Sequence, residues 1–236
     1  MIARVGGVLA LPLVILLLAT APVQAASVDV ALILAIDVSL SVNDREYDLQ
    51  REGIARAFES PALAAAVAGG KHRAIDALVL EWSDPEIQVA TVPWTRVEDA
   101  RSAKAFAAKL RATKRTSHGL TAIGSALQAA QAAFRQLPDL ATRRVIDVSG
   151  DGMANVGPQP VEVRDALIAE GITINGLTIL NDEPWVSQYY DMNVVGGTGA
   201  FLMEVEDYHA FAAAMQQKLL SEIVALPPRR RSGFLG

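Results

Sequence analysis

Cysteine is absent from the 236-residue chain. That excludes disulfides, thiolate metal sites, cysteine nucleophiles and the lipid-modified cysteine of a bacterial lipoprotein. Histidine occurs only three times, so metal chemistry here has to draw mainly on oxygen ligands. Positive charge is also short. Lys+Arg number 21 against 26 Asp+Glu, a formal net charge of -5, which leaves a nucleic-acid footprint without electrostatic support. What is abundant is apolar: 51% of residues are hydrophobic and 20% charged, with mean hydropathy +0.27. These values describe a globular protein and exclude a disordered polymer, a collagen and a polytopic membrane protein.

Residues 1–26 read as an export signal. Arg4 is followed by the uncharged stretch Val5 to Ala21 and then by the small-residue segment Val23-Gln24-Ala25-Ala26. The stretch contains Pro12 and falls short of the roughly 20 residues that a spanning helix wants, so cleavage is favoured over an uncleaved membrane anchor. The expectation is an exported protein, periplasmic or secreted, with no stable membrane span after cleavage. Residues 27–226 then form one domain, and Pro227-Pro228 separates it from a basic tail carrying Arg229, Arg230 and Arg231. Three charges fall short of the four to eight of a lipid-binding cluster.

Val28 to Ile36, VDVALILAI, is almost continuously apolar and β-branched, the pattern of a central strand buried on both faces. Asn43 with Glu46 makes a capping-box start for a helix that carries Tyr47, Ile54 and Phe58 on one face and stops at Ser60-Pro61. Strands at Ile75–Trp82 and Ile87–Val92 are joined by Ser83-Asp84-Pro85-Glu86, so close that one must run antiparallel. Helices over Glu98–Ala112, from Thr121 to before Pro138, and over Val161–Glu170 alternate with the strands RRVIDVS and ITINGLTIL. After a longer loop, a strand near Ala200–Val205 feeds a last helix with Phe211, Met215, Leu219 and Ile223 on its apolar edge. The fold class is α/β: a doubly wound, mostly parallel open sheet of about six strands, one antiparallel edge strand and helices on both faces. Ligands of such sheets sit beyond the carboxyl ends of the strands, at the switch point.

Three segments bring chemistry to that rim. Asp37-Val38-Ser39-Leu40-Ser41 leaves the first strand, Thr121 opens a helix, and Ser149-Gly150-Asp151-Gly152 leaves the fourth strand. Two carboxylates and three hydroxyls are hard donors of low total charge. They suit Mg²⁺, leave Mn²⁺ or Ca²⁺ as alternatives, and disfavour zinc. Each part alone has an ordinary explanation as a cap or a turn. In order and together they resemble the von Willebrand factor A-type domain and its metal-ion-dependent adhesion site, Asp-x-Ser-x-Ser with a distant Thr and a distant Asp. REG, EWS, VPWT, TAIG, RRVIDVSGDG and TINGL look like a bacterial, exported branch of that superfamily. The resemblance implies a metal held by Asp37, Ser39, Ser41, Thr121 and Asp151, with a remaining position filled by an Asp or Glu carboxylate of a partner protein. One departure is Leu40, where the family commonly has Gly; a positive φ there would cost roughly 1 to 2 kcal/mol.

Around the rim, Asp84, His118, Asn155, Trp185, Tyr189 and Tyr190 are candidate partner contacts. Asn155 reads first as a turn former and only second as a support for the site, and the three rings serve either partner recognition or docking of their loop on the core. Asp147, inside a buried strand, calls for a structural partner. Two other functions remain open. A docking scaffold of the same fold would ignore metal, with Leu40 as its only hint. A Mg²⁺-dependent phosphoryl-transfer or hydrolase enzyme is the weaker of the two. Ser39 cannot serve as the general acid of an Asp-x-Asp pair, and no lysine stands near the end of ITINGLTIL. No Gly-x-Ser-x-Gly elbow, HExxH or Walker loop is present, so the expectation is a binding module without catalysis.

Overall fold

The computed structural model describes residues 26–181 and 183–224; residues 1–25, which hold nearly all of the proposed export signal, and the basic tail lie outside them. Six strands form one sheet in the order β3-β2-β1-β4-β5-β6. In chain order the elements are β1 Ser27–Asp37, α1 Asp44–Glu59, α2 Pro61–Ala68, β2 Ile75–Trp82, β3 Gln88–Val97, α3 Ala100–Arg111 and α4 Ile123–Phe134. They continue with β4 Leu140–Gly150, α5 Pro160–Ala169, β5 Ile172–Ile179, α6 Val186–Asn193, β6 Leu202–Val205 and α7 Phe211–Val224.

The apolar run of β1 is explained by its place in the middle of the sheet, paired in parallel with β2 on one side and β4 on the other. Val30, Leu32, Leu34 and Ile36 enter one core with Phe58, Phe106 and Phe211, under α1, α3 and α7. Ala31, Ile33 and Ala35 enter the opposite core with Ile123, Leu127 and Leu167, under α4 and α5. A strand with both faces covered has no polar side to show, which is why its sequence does not alternate. The hairpin expectation holds: β3 pairs antiparallel with β2 and is an edge strand, where Pro93 does no harm to a ladder.

Two elements differ from the sequence expectation. Ser60-Pro61 does not end the helical region but hands it over. Ser60 closes α1, and its hydroxyl accepts from Leu63 N at 3.2 Å to open α2, with Pro61 in the first turn. The long loop after β5 contains α6, whose eight residues bury Val186 and Tyr190. The capping box of α1 is present as expected, with Glu46 N to Asn43 Oδ1 at 3.1 Å and Asn43 N to Glu46 Oε2 at 2.8 Å.

Asp147 does have its partner. Lys218 on α7, wholly buried, places its ammonium 2.6 Å from Asp147 and 2.7 Å from Glu222, and Asn175 donates to Glu222 at 2.9 Å. This ionic knot ties α7 to the middle of the sheet. Because β1 leads to β2 on one side and lies against β4 on the other, the loops at their carboxyl ends diverge and leave a cleft above them.

Candidate functional site

Asp37 is the last residue of β1 and is fully buried. The chain turns immediately, with Ser39 N donating to Asp37 Oδ1 at 2.7 Å. Ser39 and Ser41 place their hydroxyls 3.1 Å apart, and Ser41 Oγ donates to Asp151 Oδ1 at 2.6 Å. Four of the five expected residues are therefore joined in one hydrogen-bonded chain between the ends of β1 and β4. Thr121 lies with Ser41 and Asp151 on the wall of a cavity of about 360 Å³ that opens above them. Its hydroxyl is not spent on capping, because α4 starts at the N-cap Ala122 without a side-chain cap.

The supporting residues are as specific as the chain they hold. An ideal Cβ on Gly150 would sit 2.5 Å from Tyr190 Oη and 2.9 Å from Asp37 Oδ2, so only glycine lets β4 pass this close. Asn155 is more than a turn former: it accepts from Thr121 N at 2.9 Å and donates its own N–H to Thr121 O at 3.0 Å. Asp84 accepts from Leu120 N at 2.9 Å and so fixes the segment leading to Thr121. His118 is exposed, 3.9 Å from Asp44. The three rings separate: Trp185 is 69% exposed, Tyr189 half-buried and Tyr190 fully buried with its hydroxyl against the site.

Two residues essential to this arrangement were not singled out by the sequence. Arg115, in the polar run after α3, has a side chain only 7% exposed. Its Nη2 donates to three carbonyls of the loop after β1, those of Val38 at 3.1 Å, Ser39 at 2.9 Å and Val42 at 2.6 Å. Its Nε holds Ser117 O at 2.7 Å, and Nη1 meets Asp44 at 3.1 Å. Tyr208 donates to Asp151 Oδ2 at 2.9 Å from the segment between β6 and α7. No periodicity marks either residue, because each acts on a segment distant in sequence.

Leu40 corrects one expectation. Among the described residues Arg73 is the only non-glycine with positive φ, so the loop accepts leucine without left-handed strain. The side chain points outward and is 74% exposed.

The electrostatics set this cleft apart from an ordinary turn cluster. Asp37 Oδ2 is buried without a hydrogen-bond partner. Burial first, and the nearby Asp151 second, push the Asp37 carboxyl up to about 7; the Ser39 hydrogen bonds and Arg115 pull the other way. Tyr190 is raised well above its usual range, by burial and then by the same two carboxylates. Among the described residues no three His, Cys, Asp or Glu side chains gather as a metal cluster. The donor set is two carboxylates and hydroxyls. An orphaned carboxylate oxygen with a second carboxylate near enough to raise it fits a small, hard divalent cation, which would relieve both the missing partner and the repulsion.

The comparisons bear on fold and family. The thread matrix protein PTMP1 of the mussel byssus superposes with TM-score 0.62 at 14% identity over 84% of this chain and 48% of that chain. Another structure of that protein has a zinc-occupied MIDAS motif. The von Willebrand factor domain of the type V pili tip protein Mfa5 from Porphyromonas gingivalis gives TM-score 0.60 at 12% identity over 85% of this chain and 97% of that chain. A von Willebrand factor type A protein from Catenulispora acidiphila gives 0.60 at 16% identity over 84% and 43%. The chain thus spans about half the length of the thread matrix protein, and at such identities the likeness is one of fold. No curated protein matches the chain in sequence. Residues 27–227 match the model of the family described as protein of unknown function DUF1194, and the chain belongs to this bacterial family with the von Willebrand factor A-type fold.

Proposed function

We propose that this protein is an exported, divalent-cation-dependent binding module that engages an acidic group of a partner protein. The single observation that carries the proposal is the buried Asp37 carboxylate, one oxygen unpartnered, linked through Ser39 and Ser41 to Asp151 on the wall of an open cavity. Asp37, Ser39, Ser41, Thr121 and Asp151 would hold the cation, with Mg²⁺ first and Mn²⁺ or Ca²⁺ as alternatives. When bound, the ion supplies an electrophilic coordination position toward solvent, suited to one carboxylate oxygen. The chain's own work is positional: Arg115 shapes the serine loop, Tyr208 and Ser41 orient the two oxygens of Asp151, and Asn155 pins Thr121.

The similar proteins include a pilus tip protein and a thread matrix protein, which agrees with a binding rather than a catalytic role. Among the described residues the cavity walls hold no lysine, arginine or histidine that would stabilise a transferring phosphoryl group. The metal-indifferent scaffold loses its one hint, since Leu40 leaves the loop unstrained. Calorimetric titration with Mg²⁺ and Mn²⁺ tests the proposal. Saturable binding that is lost in folded Asp37→Ala and Asp151→Ala is the expected result. No binding by folded wild type up to millimolar metal would overturn it.

A further inference from the structure

The cleft above Asp37 is ringed by exposed apolar side chains. Eight large hydrophobic residues are exposed among the described residues, and three stand beside the proposed metal site: Leu40 at 74%, Leu120 at 50% and Met153 at 38%. Their places in the chain are not scattered. Leu40 separates Ser39 from Ser41, Leu120 directly precedes Thr121, and Met153 follows Asp151 by two residues. The loops are joined to one another. Leu40 N donates to Gly119 O at 2.8 Å, and Met153 shares the cavity wall with Ser41, Thr121 and Asp151. Exposed leucines at a polar, carboxylate-lined cleft do nothing for the fold, and clustered apolar exposure marks interaction surfaces. The same rim carries little positive charge. Glu183 lines the cavity, and Arg115 is turned inward onto the loop carbonyls and paired with Asp44.

The geometry points to a partner segment of defined chemistry: a protein loop presenting a single Asp or Glu carboxylate flanked by apolar side chains, with Leu40, Leu120 and Met153 as the collar that reads the flanks. This inference rests on the metal-dependent reading above and adds specificity to it. Charge complementarity selects the occupant. A bound divalent cation attracts one carboxylate, while Glu183 on the cavity wall repels further acids, so an acidic run is disfavoured where an isolated acid between leucines is accepted. The collar would also exclude water around the coordinating oxygen and strengthen that contact.

The test uses three biotinylated peptides displayed on streptavidin: one with Glu between two Leu, the same peptide with Gln in place of Glu, and a run of Glu. Each is measured against wild type and against the triple variant Leu40→Ser, Leu120→Ser, Met153→Ser, in Mg²⁺ and in chelator, with calorimetric Mg²⁺ titration of both proteins alongside. The expected result is that both proteins bind Mg²⁺ alike. Wild type then binds the Leu-Glu-Leu peptide only in Mg²⁺, does not bind the Gln peptide, and binds about tenfold or more tightly than the triple variant, the change given by burying about two methylenes in all across the three side chains. If both proteins bind Mg²⁺ but the Glu run binds wild type as well, or the triple variant keeps its peptide affinity, or no peptide binds, the collar is overturned and the metal site stands. If wild type binds no Mg²⁺, or binds the peptide equally in chelator, both fall.

Discussion

The sharpest perturbation of the proposed site is a conservative change outside it, Arg115→Lys. One nitrogen of this guanidinium meets three carbonyls of the loop that carries Ser39 and Ser41, while another holds Ser117 O. Lysine keeps the positive charge, so long-range Coulomb effects on a bound cation nearly cancel between the two proteins. What changes is reach and shape. The ammonium stops about 1 Å short of Nη2 and offers no planar fork, so it cannot span both ends of the loop. Groups that orient metal ligands from behind typically contribute 10- to 100-fold in affinity, about 1.4 to 2.7 kcal/mol. The lower figure is expected here, because Asp37 is separately anchored through Ser39 N.

Arg115→Met adds a second, opposing effect. It loosens the loop in the same way but removes a like charge from the neighbourhood of the cation, one already balanced in part by Asp44 at 3.1 Å. Calorimetric titration with Mg²⁺ should therefore rank wild type tightest, Arg115→Met intermediate and Arg115→Lys weakest, with Lys about tenfold below wild type. Thermal melts in chelator establish that each variant is folded. The reasoning is refuted if folded Arg115→Lys binds Mg²⁺ within about twofold of wild type, or if Arg115→Met binds more tightly than wild type, which would make charge and not loop shape decisive.

Lys218→Met should destabilise the fold by about 3 to 5 kcal/mol, since Asp147 and Glu222 would be left as buried acids without their shared cation; the melting temperature should fall by about 10 °C or more. Asp76 provides a pH signature: burial and then Asp139 raise its carboxyl to about 6. A raised folded pKa means that the folded state loses stability relative to the unfolded as pH climbs from about 4 to 6. Asp76→Asn should accordingly gain on wild type across that window and keep a lead of up to about 3 kcal/mol above it, as read by urea titration at several pH values; parallel stability curves would contradict this. Gly124→Ala places a Cβ 2.1 Å from Pro158 O, backbone that cannot swing aside, and should lower the urea midpoint clearly without changing the slope.

The sheet and the rim were legible because they depend on patterns that survive in one dimension. VDVALILAI declared a strand covered on both faces, and the Asp37, Thr121 and Asp151 segments each sit where a strand or helix boundary can be read. The elements that escaped depend on tertiary placement. α2 follows a proline that could equally have ended the helix before it, and only the packing of Leu63 and Val67 into the core shows which outcome holds. α6 carries a weak apolar stripe, decided by the burial of Val186 and Tyr190. Arg115 lay in a polar run that resembles any helix-terminating loop. Its role depends on β1 being folded beside it, a contact spanning more than 70 residues. Tyr189 and Tyr190, adjacent in sequence, separate in burial because neighbouring helical positions face different directions.

The central position of β1 has a consequence for how the chain is made. This strand precedes every other described element in the chain, yet one of its two edges waits for β4, whose first residue comes more than 100 positions later. Until that pairing the continuously apolar β1 has an unpaired side, and the β1 and β4 halves of the proposed metal cleft are apart. Metal affinity would thus appear only after β4 closes that edge, which makes cation binding a late readout of a completed sheet.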